Sequence, residues 1–300
     1  MDSNSNGPST YPLTPVAQRR RTPLPFIILA LLFVIVPFLT WYLTWFGRGL
    51  SDQSIGEYLK DVKNVRHVQQ ALTQVEARIE TGDAGAKRWY PQIVALTDSD
   101  VPEIRKTVAW VMGQDNRAEE FHAGLLKLLG DPHPGVRRNA AVQLVRFGDA
   151  TGRAELVATL KHYPVVAPED GVISAVLAEG ADVRENVLLA RISDSQNQVR
   201  ELRSPLSGKL SKVVTPGGTR VSSGDVILTI GPDPDFVYEA LRALLFVGEA
   251  EDLAEVERYA QGIEKMPERV QRQAVETAKA IHGRIDKKET DSRQVRPERP

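Results

Sequence analysis

The chain has 300 residues, 42% of them hydrophobic, which is enough apolar material for a packed core and excludes a wholly disordered protein. Lysine and arginine (38) nearly balance aspartate and glutamate (39), and the net charge of −1 argues against a protein built to coat nucleic acid. Cysteine is absent, so disulfides, thiolate metal sites and a cysteine nucleophile are excluded.

Residues 1–23, rich in Ser, Asn, Pro and Thr, are expected to form a disordered tail. From Leu24 to Phe46 the chain reads LPFIILALLFVIVPFLTWYLTWF without a charge. As a helix rising about 1.5 Å per residue, this run is long enough for a hydrocarbon layer of roughly 30 Å. Trp41, Tyr42 and Trp45 gather at its far end, where amphipathic rings settle at headgroup level, and Pro37 lies inside it, which membrane helices tolerate. The run exceeds the apolar region of a signal peptide, and WFGRGLSD lacks a small-residue cleavage pattern. Arg19, Arg20 and Arg21 precede it and Arg48 alone closely follows it, so the positive-inside rule predicts a cytoplasmic N-terminus. The remaining chain would then lie on the periplasmic side of a bacterial-type inner membrane.

Beyond residue 46 the sequence reads as short helices punctuated by Gly, Asp and Pro. Phe121, Leu125, Leu128 and Leu129 form one apolar stripe, Val136, Ala140, Leu144 and Phe147 a second, and Phe236, Ala240, Leu244 and Val247 a third. These stretches repeat. GDPHPGVRRNAAVQLVRFGDA (130–150) and GPDPDFVYEALRALLFVGEA (231–250) place Pro134, Ala140, Leu144 and Gly148 over Pro234, Ala240, Leu244 and Gly248. VPEIRKTVAWVM (101–112) fits the same pattern about 32 residues before the first, and ERVQRQAVETAKAI (268–281) about 34 after the second. A period near ~33 leaves an excess of roughly 68 residues between the two central copies, which marks an insertion.

In its P-x-[VI]-R copies, the small residue four positions on, and preceding helices such as FHAGLLKLLGD, the chain resembles HEAT repeats of the PBS-lyase HEAT-like type. The resemblance covers about 64–162 and 233–285. It implies an α-solenoid in which each helix pair buries its stripe by stacking on the next and offers a surface to protein partners. No motif here matches the chromophore sites of the lyases for which that family is named.

Residues 164–231 differ in kind, with Val-rich runs of period two broken by Gly and Pro. They too repeat: Pro168, Gly171 and Gly180 match Pro205, Gly208 and Gly217, then Val183, Asn186 and Ile192 match Val221, Gly224 and Ile230. Two such halves predict a small sandwich with pseudo-twofold symmetry, its glycines serving turns. The doubled pattern A/S-P-x-x-G-x-[VIL] resembles the biotinyl/lipoyl domain and the barrel-sandwich hybrid of membrane fusion proteins. Carriers of that kind hold a modified lysine in the hairpin between the halves. Here the hairpin reads SDSQNQVR (193–200) without lysine, while Lys209 and Lys212 lie in the second half. The helical arm of membrane fusion proteins is also missing, because the halves join directly. The resemblance implies a domain whose ends lie together, suited to insertion between two helices of one repeat, with the 193–199 hairpin pointing away.

His67, His122, His133, His162 and His282 are scattered without the spacing of a metal motif, and are read as surface or capping residues. Glu119–Glu120 and Glu249–Glu251 are read as solvated carboxylates, and Gly217–Gly218 as a strand turn. Arg137, Arg138 and Arg146 are placed on a solvated helix face, and Trp89, Tyr90 and Trp110 in the core. The sequence therefore predicts a mainly α fold: a HEAT-like solenoid with an inserted all-β barrel-sandwich hybrid and one transmembrane helix. Its divisions are a tail (1–23), the span (24–46), repeats (47–163), the β domain (164–231), further repeats (232–285) and a disordered tail (286–300). No catalytic, cofactor or metal residue is assigned. The expected function is a non-catalytic, membrane-anchored scaffold or assembly factor. The alternatives are an atypical adaptor of an efflux or secretion system and, third, a biotin or lipoyl carrier.

Overall fold

The computed structural model describes residues 24–45, 49–196, 198–262 and 265–294. The chain divides into two compact units, 1–49 and 50–300. In the first, α1 (Leu24–Trp45) is a helix without a charged residue and with Pro37 inside it. The Thr40 hydroxyl donates to the Val36 carbonyl one turn back (2.8 Å). Among the described residues no helix is long and apolar enough to cross a membrane. The span expected over 24–46 is thus not met by the described residues. The expected aromatic belt of Trp41, Tyr42 and Trp45 rests on side chains outside the description, and the expected tail at 1–23 lies outside the described residues.

The second unit is mostly helical. It opens with α2 (Asp52–Tyr58), capped by the Ser51 hydroxyl, and α3 (Val65–Glu80), capped by the Asn64 amide oxygen. Pairs follow: α4 (Tyr90–Ala95) with α5 (Pro102–Met112), then α6 (Glu119–Leu128) with α7 (Pro134–Arg146). Next come α8 (Arg153–Thr159) and, after the strands, α9 (Pro234–Val247), with α10 (Leu253–Ala260) and α11 (Glu268–Gln294) completing the series. The repeated proline has a local cause. Pro102, Pro134 and Pro234 each occupy the start of the second helix of a pair, where the missing N–H costs nothing and φ is already helical. The repeated arginine ties the turn. Arg105 donates to the Ser99 carbonyl (2.5 Å) and Arg137 to the Asp131 carbonyl (2.9 Å), the same six residues back in both. Each then reaches a carboxylate of the next turn or helix, Asp131 (2.6 Å) and Glu155 (3.1 Å).

Two apolar clusters fill the stack, and α7 belongs to both: Val136, Ala140 and Leu144 to the first, Ala141 to the second. Leu156 of α8 and Val237 and Leu241 of α9 share that second cluster, although the whole insert separates them in sequence. Tyr259 donates its hydroxyl to the Leu160 carbonyl (2.5 Å), and Arg153 pairs with Asp252 (3.1 Å). The helices on either side of the insert therefore pack as consecutive members of one stack.

Three details depart from the sequence reading. Val237, not Phe236, enters the core of α9, and Phe236 is only half-buried. Trp89 and Tyr90 are buried as expected, but Trp110 is 45% exposed. Its neighbours Val108, Ala109, Val111 and Met112 already fill the core side of α5. Finally, α11 continues to Gln294, nine residues past the expected boundary at 285. The polar stretch DKKETDSRQ contains neither glycine nor proline to stop a helix already packed on α9 and α10.

Between α8 and α9 stand eight strands: β1 (Tyr163–Val166), β2 (Gly171–Val176), β3 (Asp182–Val183), β4 (Leu188–Ser193), β5 (Val199–Arg203), β6 (Gly208–Val213), β7 (Arg220–Val221) and β8 (Val226–Pro232). They form two antiparallel four-stranded sheets, ordered β1-β8-β6-β3 and β5-β4-β2-β7. Advancing every strand by four converts the first order into the second. Each half supplies the two central strands of one sheet and both edges of the other, so neither half can fold alone. The matched glycines Gly171 and Gly208 have matching reasons. A Cβ on Gly171 would lie 2.7 Å from the Ser193 carbonyl oxygen, and one on Gly208 2.2 Å from that of Gly231.

Candidate functional site

The residues that could carry chemistry are dispersed, and most of them are paired locally, although the buried Nδ1 of His133 has no hydrogen-bond partner among the described residues. His67 pairs with Asp61 (2.8 Å), His122 with Asp149 (2.7 Å), His282 with Glu257 (3.1 Å) and His162 with the Ser211 hydroxyl (2.9 Å). His133 faces Glu185 (3.2 Å), and burial holds its imidazole below the ordinary histidine range. Among the described residues no group of three or more potential ligands could hold a metal ion. Glu119 and Glu120 are exposed at the start of α6, while Glu249 and Glu251 both reach Arg153. Gly217 and Gly218 lie in the turn before β7.

A junction joins the β unit to the helices. Lys106 of α5 donates to both carboxylate oxygens of Glu185 at 2.6 Å, beside His133. The Arg138 guanidinium lies 6.0 Å from the centre of the Tyr163 ring. Next to this junction an open cleft of about 650 Å³ is walled by Asp131, His133, Tyr163 and Pro205.

The more distinctive surface lies where α5, α7 and α9 run side by side. A groove of about 510 Å³ is floored by Val142, Val145 and Ala243 and flanked by Trp110 and Phe246. Phe246 is 71% exposed. It sits two positions after the core residue Leu244, which turns it roughly 200° away from the stripe. The Trp110 indole N–H donates to Glu76 (2.5 Å), which fixes the ring at the groove wall. A narrower recess of about 170 Å³ is walled in part by the same side chains and adds Arg138, Thr159 and Phe236.

Two polar side chains here are buried without the partners burial usually demands. Arg138 is only 4% exposed and its Nε has no hydrogen-bond partner; the Glu155 carboxylate stands 3.9 Å away. Burial lowers its pKa, against the opposing pull of Glu155. The solvated face expected for Arg137, Arg138 and Arg146 is therefore corrected: Arg146 is exposed, Arg137 half-buried and Arg138 enclosed. Gln143 is 2% exposed and its Oε1 lacks a partner. Its amide fills the space over Gly113, where a Cβ would lie 2.0 Å from that oxygen. Sequence periodicity missed this groove because it sorts helix positions into inside and outside. Phe246 and Trp110 carried the available signal, being large aromatics placed off the apolar stripe.

The chain is similar to HEAT repeats over residues 90–169, a stretch that contains α4 to α8 and ends just beyond β1. No curated protein matches it. Among solved structures it is similar to a single-chain, multi-domain long-chain acyl-CoA carboxylase, at 20% identity and a TM-score of 0.22. That likeness covers 35% of this chain and 10% of the carboxylase, and a superposition so loose assigns neither fold nor function.

Proposed function

We propose that this protein is a non-catalytic, membrane-anchored scaffold or assembly factor that binds protein partners along its helical stack. The observation that carries this reading is the continuity of the stack: HEAT similarity over 90–169, and one apolar cluster that unites α8 with α9 across the insert. The strand-swapped order of the two sheets supports a biotinyl/lipoyl-like, barrel-sandwich reading of the insert. A carrier role is disfavoured because the β4–β5 hairpin, whose Asp194 accepts from the backbone N–H groups of Gln196 and Gln198, offers no lysine. The same hairpin is too short for the arm of an efflux adaptor. The uncharged sequence of α1 and the arginines at 19–21 support attachment to a bacterial inner membrane with the N-terminus inside and residues 50–300 in the periplasm.

Crosslinking in native membranes, followed by mass spectrometry, tests both parts. A scaffold yields reproducible crosslinks from helices α3 to α11 to other proteins, and none at all removes the reading. Resistance to alkaline extraction that is lost on deleting 24–46 is the outcome expected of an anchor.

A further inference from the structure

The groove between α5, α7 and α9 combines three features that point to one kind of occupant. Its walls are aromatic and exposed, its floor is aliphatic, and its charge is unbalanced. Arg138, Arg146 and Arg242 line it or its recess, and Glu239 is the acidic side chain in the lining; Glu155 stands behind Arg138 at 3.9 Å and Glu76 is engaged by the Trp110 indole. Glu239 is taken up by Arg242 (3.2 Å), and among the described residues Arg146 donates to the neutral Gln114 amide (3.1 Å) and pairs with no carboxylate. Arg138, enclosed and with an unpartnered Nε, borders the recess below.

We propose that this groove receives a segment of a partner protein in which one carboxylate side chain is flanked by aromatic or aliphatic residues. The apolar side chains would cover Trp110 and Phe246 and lie on Val142 and Val145. The carboxylate would turn toward the arginines, where a charge-assisted bidentate pair gains most in a dry site. A basic segment would meet three guanidinium groups. A nucleic-acid backbone would satisfy the arginines but leave the aliphatic floor unmatched. This inference rests on the scaffold reading and names the chemistry of its partner.

The test pans a random twelve-residue peptide-display library against the full chain in detergent. The expected result is enrichment of sequences that set Asp or Glu beside Leu, Phe, Trp or Tyr. Their synthetic forms should bind Trp110→Ala/Phe246→Ala and Arg146→Gln/Arg242→Gln roughly tenfold more weakly than the unaltered chain. All four side chains reach the surface, so these variants keep the fold, which their unfolding curves verify; Arg138→Gln adds a third reading if it melts normally. Enrichment of Lys- or Arg-rich peptides overturns the proposal, as does no enrichment, binding unchanged in both double variants, or competition by an oligonucleotide as effective as by the acidic peptide. Membrane crosslinking separates the two readings. If Trp110→Ala/Phe246→Ala keeps every partner of the unaltered chain, the groove is refuted and the scaffold stands. If the unaltered chain has no partner yet binds the peptides through these residues, the scaffold falls and the groove stands.

Discussion

The helical stack and the inserted β unit are both made of repeated pieces, but they close in opposite ways. In the stack each pair covers the next by translation, so the array has an open flank along its length, and the groove beside Trp110 and Phe246 lies on it. In the β unit the two halves exchange edges, the order β1-β8-β6-β3 mirroring β5-β4-β2-β7, and the core of Ile173, Ile192, Leu210 and Ile230 belongs to both halves at once. An open array concentrates damage at the rung that is hit and its neighbours. A closed one shares damage between its halves but keeps it from the rest of the chain. The insert thus interrupts the sequence of one helix pair without interrupting its packing.

The largest expected effect comes from emptying the stack. Phe121 is fully buried and packs on Tyr90, ring centroids 4.1 Å apart, so Phe121→Ala should destabilise the helical unit by about 4 kcal/mol. Urea unfolding followed by far-ultraviolet circular dichroism measures it. A loss below about 1 kcal/mol would mean that α4 and α6 do not depend on each other.

Next in size is the buried ion pair between turns. Arg105 donates to both oxygens of Asp131 at 2.6 and 2.9 Å, and Asp131 also accepts the His133 backbone N–H (2.8 Å). Asp131→Ala strands a guanidinium whose side chain is only 10% exposed, at a cost of about 3 kcal/mol. The pair also sets an acid limit. Burial alone would raise the Asp131 carboxyl, but the Arg105 hydrogen bonds, the His133 N–H and the Arg105 charge together bring it below its ordinary value of 3.8. Its stabilisation is therefore present above about pH 4 and lost as pH falls through the lowered folded value. Acid titration of the unfolding free energy should show that loss in the parent and not in Asp131→Ala.

In the β unit the expected effect is smaller and confined. A methyl group at Gly208 would overlap the Gly231 carbonyl, forcing β6 from β8, and Gly208→Ala should cost about 1–3 kcal/mol within that unit. Hydrogen exchange resolved by segment should quicken across both halves, 163–232, and stay unchanged across α3 to α6. Faster exchange in α3 to α6 would show that the two regions are not energetically separate.

Much of this division was legible before the structure, and the reasons differ by region. The stack announces itself because Pro102, Pro134 and Pro234 must recur at helix starts, and the apolar residues must recur on the buried side. The β halves announce themselves because glycines at crossing points, Gly171 and Gly208, cannot drift without overlap. At the next turn the halves shift by one: the positive φ of Gly180 (80°) recurs at Gly218 (86°) rather than at Gly217. Sequence fails where a position answers to a partner rather than to its own helix. Trp110, Phe236, Phe246 and Arg138 have the composition of core or solvated residues, yet they meet only where three helices lie together.

The smallest effect should come from the junction. Lys106 and His133 hold Glu185 from the helical side, with side chains 21%, 17% and 31% exposed, so Glu185→Gln should cost only about 0.5–1 kcal/mol. Its signature lies in the titration of His133. Burial lowers that pKa below 6.5, Glu185, Asp131 and Glu103 oppose the shift, and Lys106 reinforces it. Because the folded value is depressed, the neutral imidazole's contribution is complete above pH 6.5 and is lost as pH falls through the folded pKa. Removing the Glu185 charge leaves the Lys106 repulsion unopposed from that side, so the His133 pKa should move further down in Glu185→Gln and further up in Lys106→Gln. Proton NMR of the His133 imidazole reads both. If the two substitutions leave it unmoved, Glu185 does not hold the strands against the helices in solution.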